Sequence, residues 1–172
     1  MTKILSFNVK EKIKNFYLDL LIESIEQRPR LELQDGNNYL FVSKYTNELY
    51  DIFISLCKKH LNSFTIKSLN FKTYCCLSDK NFQFNINQWH NHKKTGTIIG
   101  VLYLKIPDKK ENSIDFKLNN KIVKYEPEPF DLIIFPNYLD HRPHSSKTGK
   151  KRISINIELQ CKESSEHIFH EL

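Results

Sequence analysis

Hydrophobic and polar positions change their spacing along this chain, and the change divides it into a helical part and a strand-rich part. Residues 3–9 alternate with period two, which predicts a short strand. Residues 10–26 and 46–61 instead carry apolar side chains three and four positions apart, which predicts two amphipathic helices. From residue 64 onward the alternation returns in short runs rich in Phe, Ile, Tyr and Thr. These runs predict strands at 64–76, 81–87, 96–106, 113–118, 121–125, 130–135 and 152–159.

Helices followed by many short strands predict an α+β fold that is mainly β. We expect a double-stranded β-helix, or jelly roll, with the N-terminal helices packed on it. Asn119 and Asn120 are expected to form a hairpin turn between two of its strands. A length of 172 residues favours one domain, with a helical support over 1–62, a jelly-roll core over 63–162 and a tail over 163–172.

Charge changes this picture little. The 26 Lys and Arg residues exceed the 20 Asp and Glu residues, which gives a net charge of +6. Because the lysines are scattered in pairs, a solvated surface is favoured over a nucleic-acid partner, which stays open. The pair Lys93 and Lys94 lies beside the candidate site and keeps an anionic substrate open as well.

The cysteines and the lengths of the apolar runs bear on the compartment. No stretch approaches the roughly 20 apolar residues that a membrane span needs, and we expect no secretory leader. None of the cysteines forms a Cys-x-x-Cys pair, and we therefore expect a cytoplasmic protein with free thiols. The cysteines are Cys57, Cys75, Cys76 and Cys161.

Histidines provide the candidate chemistry. His90 and His92 are two residues apart, and on extended chain their imidazoles point the same way. Like the apolar residues of the strand predicted at 81–87, both histidines are at even-numbered positions. If that strand continued without a break, their side chains would therefore point inward with the apolar ones. A second cluster, with His141 and His144, follows at residues 140–144. Imidazole is the commonest protein metal ligand, so this pattern indicates a non-haem iron site.

A strand arginine follows the second histidine cluster. Arg152 begins the last predicted strand, and Ser154 lies on the same face two residues later. A guanidinium binds a carboxylate through two parallel hydrogen bonds, and a serine hydroxyl can donate another. This order of histidine pair, distal histidine and strand arginine is what we expect of an iron site with an anionic cosubstrate.

Five short motifs in this order give the chain a family resemblance. Together they resemble the 2-oxoglutarate- and Fe(II)-dependent oxygenase superfamily, in particular the small oxygenases of phages and marine bacteria that are related in fold to prolyl hydroxylases. The resemblance spans under half the chain, and the order and spacing of the motifs carry it. The motifs are WHNH at 89–92, GVLYLKIP at 100–107, DLIIFP at 131–136, LDH at 139–141 and RISIN at 152–156.

The resemblance implies a role for individual residues. His90, His92 and His141 would be the metal ligands. Arg152 and Ser154 would be the pair that binds 2-oxoglutarate.

Two further residues enter through the resemblance alone. Tyr103 matches a tyrosine that reaches the same carboxylate in prolyl-hydroxylase-like members, and Asn85 is a weaker candidate near the cosubstrate. The implied activity is a dioxygenase that uses Fe(II), 2-oxoglutarate and O2, with ascorbate in vitro. It would hydroxylate an amino-acid or protein side chain, on a small-molecule or peptidyl substrate, and would act in the host cytoplasm if the chain is viral. The oligomeric state is left open.

The first motif departs from the superfamily pattern of His-x-Asp or His-x-Glu, because His92 stands where the acid is expected. A three-histidine site removes one negative charge and should weaken iron(II) binding. Two alternatives stay open, one in which only one of the pair is a ligand and one in which Asp140 contributes. His144 also stays open as the distal ligand. We favour the set of His90, His92 and His141.

Two other functions fit the same residues. A cupin-like metal protein would use three histidines without 2-oxoglutarate, and Arg152 would then be structural. A non-catalytic jelly-roll module would bind its partner without any metal. Jelly rolls host many functions, so the fold alone does not choose among these three.

Overall fold

The structure is a computed structural model that describes residues 4–13, 38–40, 46–67, 72–78, 88–107, 113–144 and 152–170, with the backbone alone described at 38–40, 46 and 72–78. These residues form two antiparallel sheets and two helices. The strands are β1 (Leu5–Asn8), β2 (Asn38–Leu40), β3 (Lys72–Ser78), β4 (Ile98–Lys105), β5 (Ile114–Leu118), β6 (Lys121–Tyr125), β7 (Asp131–Pro136), β8 (His141–Pro143) and β9 (Arg152–Leu159). The helices are α1 (Thr46–His60) and α2 (Ser165–Ile168), and a 3-10 turn covers Lys10–Lys12.

Among the described residues, six strands form a major sheet and three form a minor sheet. The major sheet has the order β1-β7-β4-β9-β3-β2, and the minor sheet has the order β6-β5-β8. All of these strand pairs are antiparallel. The prediction of a mainly β jelly roll is therefore confirmed. None of the described helices is long and apolar enough to span a membrane.

Strand β9 lies in the middle of the major sheet, between β4 and β3, and nearly all of its residues are buried. Side chains alternate between the two faces of a strand. One set packs with α1 in a hydrophobic core, whereas the other points to the opposite face, which we call the inner face. The set that packs with α1 is Ile153, Ile155, Ile157 and Leu159, and the inner set is Arg152, Ser154, Asn156 and Glu158.

A second, smaller core covers the inner face of the major sheet. It joins residues of β4 and β7 to residues of β5, so it lies between the two sheets. A polar row from β9 thus runs beside an apolar wall. The buried members of the wall are Ile99, Val101, Tyr103, Ile114, Phe116, Ile133, Phe135 and Leu139.

Close contact with β4 positions helix α1 on the major sheet. Gly100 faces the helix, and a Cβ added there would lie 2.5 Å from Cε2 of Phe53. The Phe53 ring is fully buried, so it occupies the space that a side chain at position 100 would need. The absence of a side chain at Gly100 therefore sets how near the helix can come.

Several predicted elements have nearly the same bounds in the structure. The helix predicted at 46–61 is α1, and the strands predicted at 121–125 and 152–159 are β6 and β9. Asn119 and Asn120 have φ of 49° and 63° and join β5 to β6, which confirms the predicted hairpin turn.

Other predicted elements differ from the structure or cannot be compared with it. Of the strand predicted at 64–76, Ile66 bridges to Cys161 and residues 72–76 lie in β3, which pairs with β9, while residues 68–71 lie outside the described residues. Of the helix predicted at 10–26, the described part begins as a 3-10 turn. Residues 14–26 of that helix and the strand predicted at 81–87 lie outside the described residues.

The segment predicted as a tail belongs to the core. Ile168 and Phe169 are 0% and 2% exposed and join the cluster beneath α1. Ser164 caps α2 by accepting a hydrogen bond from the backbone N–H of His167. Asn62 also holds this segment in place, because its side-chain amide donates hydrogen bonds to the backbone carbonyls of His167 and His170.

Candidate metal centre

Backbone hydrogen bonds hold the first histidine motif against the start of β8. His90 and His141 form an isolated antiparallel bridge, in which each N–H donates to the other's carbonyl at 3.0 and 2.9 Å. The N–H of His92 donates to the carbonyl of Asn137 at 2.8 Å. Two regions 49 residues apart in sequence are thus brought side by side.

The three predicted ligands converge in this arrangement. One ligand nitrogen from each of His90, His92 and His141 lies within 4.8 Å of the others. The Nε2 atoms of His92 and His141 are 3.3 Å apart. His141 is buried at 3% exposed, whereas His90 is exposed, so the cluster has a closed side and an open side.

The opposite nitrogen of each ring is held by an oxygen. The Nδ1 atom of His90 lies 3.0 Å from the carbonyl of Gln88, and that of His141 lies 3.0 Å from the carbonyl of Leu139. The Nδ1 atom of His92 lies 2.8 Å from Oε1 of Glu158. Carbonyl and carboxylate oxygens accept hydrogen bonds, so Nδ1 is the donor and the Nε2 lone pair is left for a metal.

Burial favours the neutral form of two of these rings. It lowers the pKa of His141 to about 3, and the neighbouring His90 ring acts in the same direction. Burial also lowers the pKa of His90. At neutral pH both imidazoles are therefore uncharged, which is the state that binds metal. Three imidazole nitrogens on one side of an open position suit a divalent transition metal such as iron.

Aromatic rings form the closed side of the cluster. The ring centroids of Phe135 and Phe116 lie 4.9 and 6.0 Å from that of His141. Both phenylalanines are fully buried. They keep water from the back of the His141 ring and fix its orientation.

The residues around the first motif tie it to the minor sheet. Lys117 and Arg142 place their cationic groups 4.4 and 4.8 Å from the ring centroid of Trp89. Asn91 donates a hydrogen bond to Oδ1 of Asp140 at 2.9 Å. Asp140 thus lies outside the group of converging ligands, and its carboxylate holds the loop instead.

The other alternative for the distal ligand, His144, also lies outside the histidine cluster. Its Nε2 lies 2.8 Å from Oδ2 of Asp115, and Arg142 donates to the same oxygen at 2.7 Å. Burial would raise the pKa of Asp115, but these two hydrogen bonds outweigh it and hold that pKa below its usual range. The structure thus brings His141, and not His144, together with the histidine pair.

The residues predicted to bind an anion lie on the inner face. Arg152, Ser154 and Tyr103 are 2%, 2% and 1% exposed, and Tyr103 is directly opposite Ser154 across β4 and β9. The Nη1 atom of Arg152 donates to the carbonyl of His144 at 2.8 Å, while its buried Nε has no hydrogen-bond partner among the described residues. Asn85 lies outside the described residues.

The sequence analysis missed one residue of the site, Glu158. It is 3% exposed, and its carboxylate contacts the ring of His92. The sequence contains a signal for it. In the strand 152–159 the odd-numbered positions are all apolar, so residues 152, 154, 156 and 158 share the other face. An acid at the inner end of that row marks a buried charge, which needs a partner.

Comparison with known proteins identifies the fold. No family model and no curated protein sequence matches this chain. Among solved structures, a prolyl-4-hydroxylase from Pseudomonas putida superposes with a TM-score of 0.68 over 95% of both chains, at 11% identity. The chain has the fold of the prolyl-4-hydroxylase-like oxygenases.

Two further neighbours with the prolyl-4-hydroxylase-like fold were solved with ligands. HygX from Streptomyces hygroscopicus, with nickel and 2-oxoglutarate bound, matches with a TM-score of 0.65 at 11% identity, over 94% of this chain and 83% of HygX. A prolyl hydroxylase from Trichoplax adhaerens, in complex with a peptide fragment of hypoxia inducible factor, matches with a TM-score of 0.63 at 13% identity. That match covers 93% of this chain and 84% of the Trichoplax protein.

Proposed function

We propose that this protein is a non-haem Fe(II)- and 2-oxoglutarate-dependent dioxygenase that hydroxylates an amino-acid or protein side chain. The convergence of the His90, His92 and His141 ligand nitrogens, within a fold shared with 2-oxoglutarate oxygenases, carries this proposal. The contacts of the Nδ1 atoms support it, because a ring whose Nδ1 donates to an oxygen leaves its Nε2 lone pair for a metal.

In this proposal the three histidines hold the iron on one face and leave the remaining positions open. Arg152 binds the far carboxylate of 2-oxoglutarate, to which it can donate from its buried Nε, an atom without a hydrogen-bond partner among the described residues. Ser154 and Tyr103, opposite each other on the inner face, contribute further hydrogen bonds to the cosubstrate. The metal with 2-oxoglutarate and O2 supplies the oxidising chemistry, while the chain orients the reactants and excludes water.

The substrate and location belong to the same proposal. A peptidyl or small-molecule substrate is favoured, because the structural neighbours include a prolyl hydroxylase in complex with a peptide. A cytoplasmic location, in the host if the chain is viral, and stimulation by ascorbate in vitro follow from the family resemblance. Nucleic acid is not favoured as a substrate.

Anaerobic titration tests the proposal directly. Purified protein is titrated with Fe(II) and then with 2-oxoglutarate, and the weak visible metal-to-ligand charge-transfer band is recorded. We expect a band that requires both additions. In Arg152→Ala the band is lost while Fe(II) still binds, because the three histidines remain and the far carboxylate of 2-oxoglutarate loses its partner. Lys124→Ala is the control, since this half-exposed cation pairs with Glu126 at the end of the edge strand β6, and it keeps the band.

The other outcomes distinguish the alternatives. Histidine-bound metal without a band at any 2-oxoglutarate concentration would favour the cupin-like three-histidine protein. Failure to bind any of Fe(II), Co(II) or Ni(II) would leave a non-catalytic jelly-roll module. A band that persists unchanged in Arg152→Ala would remove that residue from the cosubstrate site.

A further inference from the structure

Glu158 is a carboxylate buried next to the histidine that replaces the expected acid. Its Oε1 lies 2.8 Å from Nδ1 of His92, and its side chain is 4% exposed. A carboxylate removed from water is costly unless hydrogen bonds or positive charge compensate for it. The residue that makes this contact is the one at which the first motif departs from His-x-Asp.

The backbone around Glu158 makes this contact specific. Glu158 is opposite Ile99 in the register of β4 and β9, so its position on the inner face is fixed from both sides. The turn that follows His92 is closed by the N–H groups of Thr95 and Gly96, which donate to the carbonyl of His92 at 3.0 and 3.2 Å. The turn and β9 therefore hold the imidazole and the carboxylate in one geometry.

Gly96 lets this turn lie directly on Glu158. A Cβ added to Gly96 would lie 3.1 Å from Cβ of Glu158 and 3.0 Å from Cδ1 of Ile99, closer than side chains ordinarily approach. The side-chain amide of Gln160, the residue after β9, donates a hydrogen bond to the carbonyl of Thr95 at 3.1 Å. This bond connects the turn that follows His92 to the end of β9. The approach of His92 to Glu158 is thus built into the packing.

The negative charge of Glu158 bears on how strongly the histidine cluster would bind a metal. An aspartate ligand would place one negative charge on the metal, whereas the neutral imidazole of His92 places none. A carboxylate that accepts a hydrogen bond from a ligating imidazole fixes the ring and raises its basicity. Glu158 thus places a negative charge one imidazole ring away from the metal position.

We infer that Glu158 is a positioning and charge-balancing residue, which orients His92 and supplies through it the negative charge that the first motif lacks. The inference rests on the proposed metal site. It assigns no direct metal bond to Glu158.

Metal affinity of two Glu158 variants tests this role. Co(II) and Fe(II) are titrated anaerobically into wild type, Glu158→Gln and Glu158→Ala. Glutamine keeps an oxygen that accepts from Nδ1 but loses the charge, so we expect affinity to fall about tenfold. Alanine loses both charge and acceptor, and we expect a fall of about 100-fold. The matched control is Asp131→Asn, a buried carboxylate at the start of β7 whose hydrogen-bond partners are Asn8, Tyr125 and the backbone of Glu128, and it leaves affinity unchanged.

Two readouts separate this role from simple structural support. In metal-free protein, long-range ¹H–¹⁵N NMR of the His92 ring shows Nδ1–H in wild type and in Glu158→Gln, and a mixture of tautomers in Glu158→Ala. In a His92→Ala background, which retains His90 and His141, the effect of Glu158→Gln on Ni(II) affinity disappears, because the ring that transmits it is gone.

Each result bears on one part of the inference. Wild-type affinity in Glu158→Gln would overturn the charge-balancing role, and wild-type affinity in Glu158→Ala would overturn both roles. An equal cost of Glu158→Gln with and without His92 would show that Glu158 acts independently of this histidine, which also overturns the inference. The proposed metal site would stand in all three cases, whereas a wild-type protein that binds no metal would contradict the proposed function itself.

Discussion

At the level of single residues, the Nδ1 contacts of three histidines decide what the cluster can bind. Each ring is fixed by an oxygen behind it, two from backbone carbonyls and one from Glu158. A side chain that is already held loses little rotamer freedom when a ligand binds. In the proposed function, the three rings are therefore already oriented before a metal binds.

The two candidates for the distal ligand differ in their partners, which makes them separable by mutation. His141→Ala should lower Co(II) affinity by at least tenfold, because one of three ligands is removed. It should also cost about 2–5 kcal/mol of folding free energy, since the ring is buried against Phe116 and Phe135. Metal affinity is measured by titration and stability by urea denaturation.

His144→Ala is the control for this prediction. It removes a hydrogen bond to Asp115, which costs about 1 kcal/mol, and leaves metal affinity unchanged. The backbone carbonyl that accepts from Arg152 remains in this variant. If His144→Ala lost metal while His141→Ala kept it, the assignment of the distal ligand would be reversed.

Sequence pattern could identify the histidine pair and the arginine, but not every partner. His141 and His144 are three residues apart, so on extended chain they face opposite ways. Which one faces inward depends on the register that pairs His141 with Phe116, and this is a tertiary property. Likewise, the alternation of side chains along β9 places Glu158 on the inner face. Its contact with His92 depends on how closely the turn at Gly96 packs against Glu158, which the sequence pattern does not give.

At the level of elements, contact between helix α1 and strand β4 fixes the support of the site. Gly100→Ala is expected to destabilise the protein by about 1–3 kcal/mol, because the new methyl group would overlap the buried ring of Phe53. Urea denaturation measures this cost. Metal affinity should be unaffected, since Gly100 lies on the face of β4 opposite to the histidines.

A smaller side chain at position 53 provides the check on this prediction. In a Phe53→Leu background, which itself leaves a partial cavity, Gly100→Ala should cost clearly less than in wild type. An unchanged cost would show that the overlap with Phe53 is not the cause.

Elements were predictable where a local signal and the strand pairing agree. The Asn119–Asn120 turn defines the β5–β6 hairpin locally, and β9 reads as alternating over its whole length. In the strand predicted at 64–76, Ile66 pairs with Cys161 and β3 pairs with β9, and the sequence pattern indicated neither partner. Amphipathic alternation gives the face of a residue but does not give its partner strand.

At the level of the whole molecule, the histidine cluster connects the two sheets. His141 belongs to β8 of the minor sheet, whereas His92 contacts Glu158 in β9 of the major sheet. In the described part of the chain, the other contacts between these sheets include the apolar inner core, the hydrogen bond of Arg152 to His144, and the hydrogen bonds of Tyr125 to Ser6 and Asp131. A metal held by the three histidines would therefore link both sheets.

This linkage predicts that metal stabilises the entire fold. A ligand that binds the native state alone, at 100 times its Kd, adds about 2.7 kcal/mol to the free energy of unfolding. For a chain of this size that corresponds to a rise in Tm of roughly 5–10 °C. Calorimetry of wild type with EDTA and with Ni(II) measures the shift, and His141→Ala, which lacks the minor-sheet ligand, should show little of it. A Tm that is equal in EDTA and in saturating Ni(II) would mean that no metal joins the sheets, because binding to the native state must raise the midpoint by mass action.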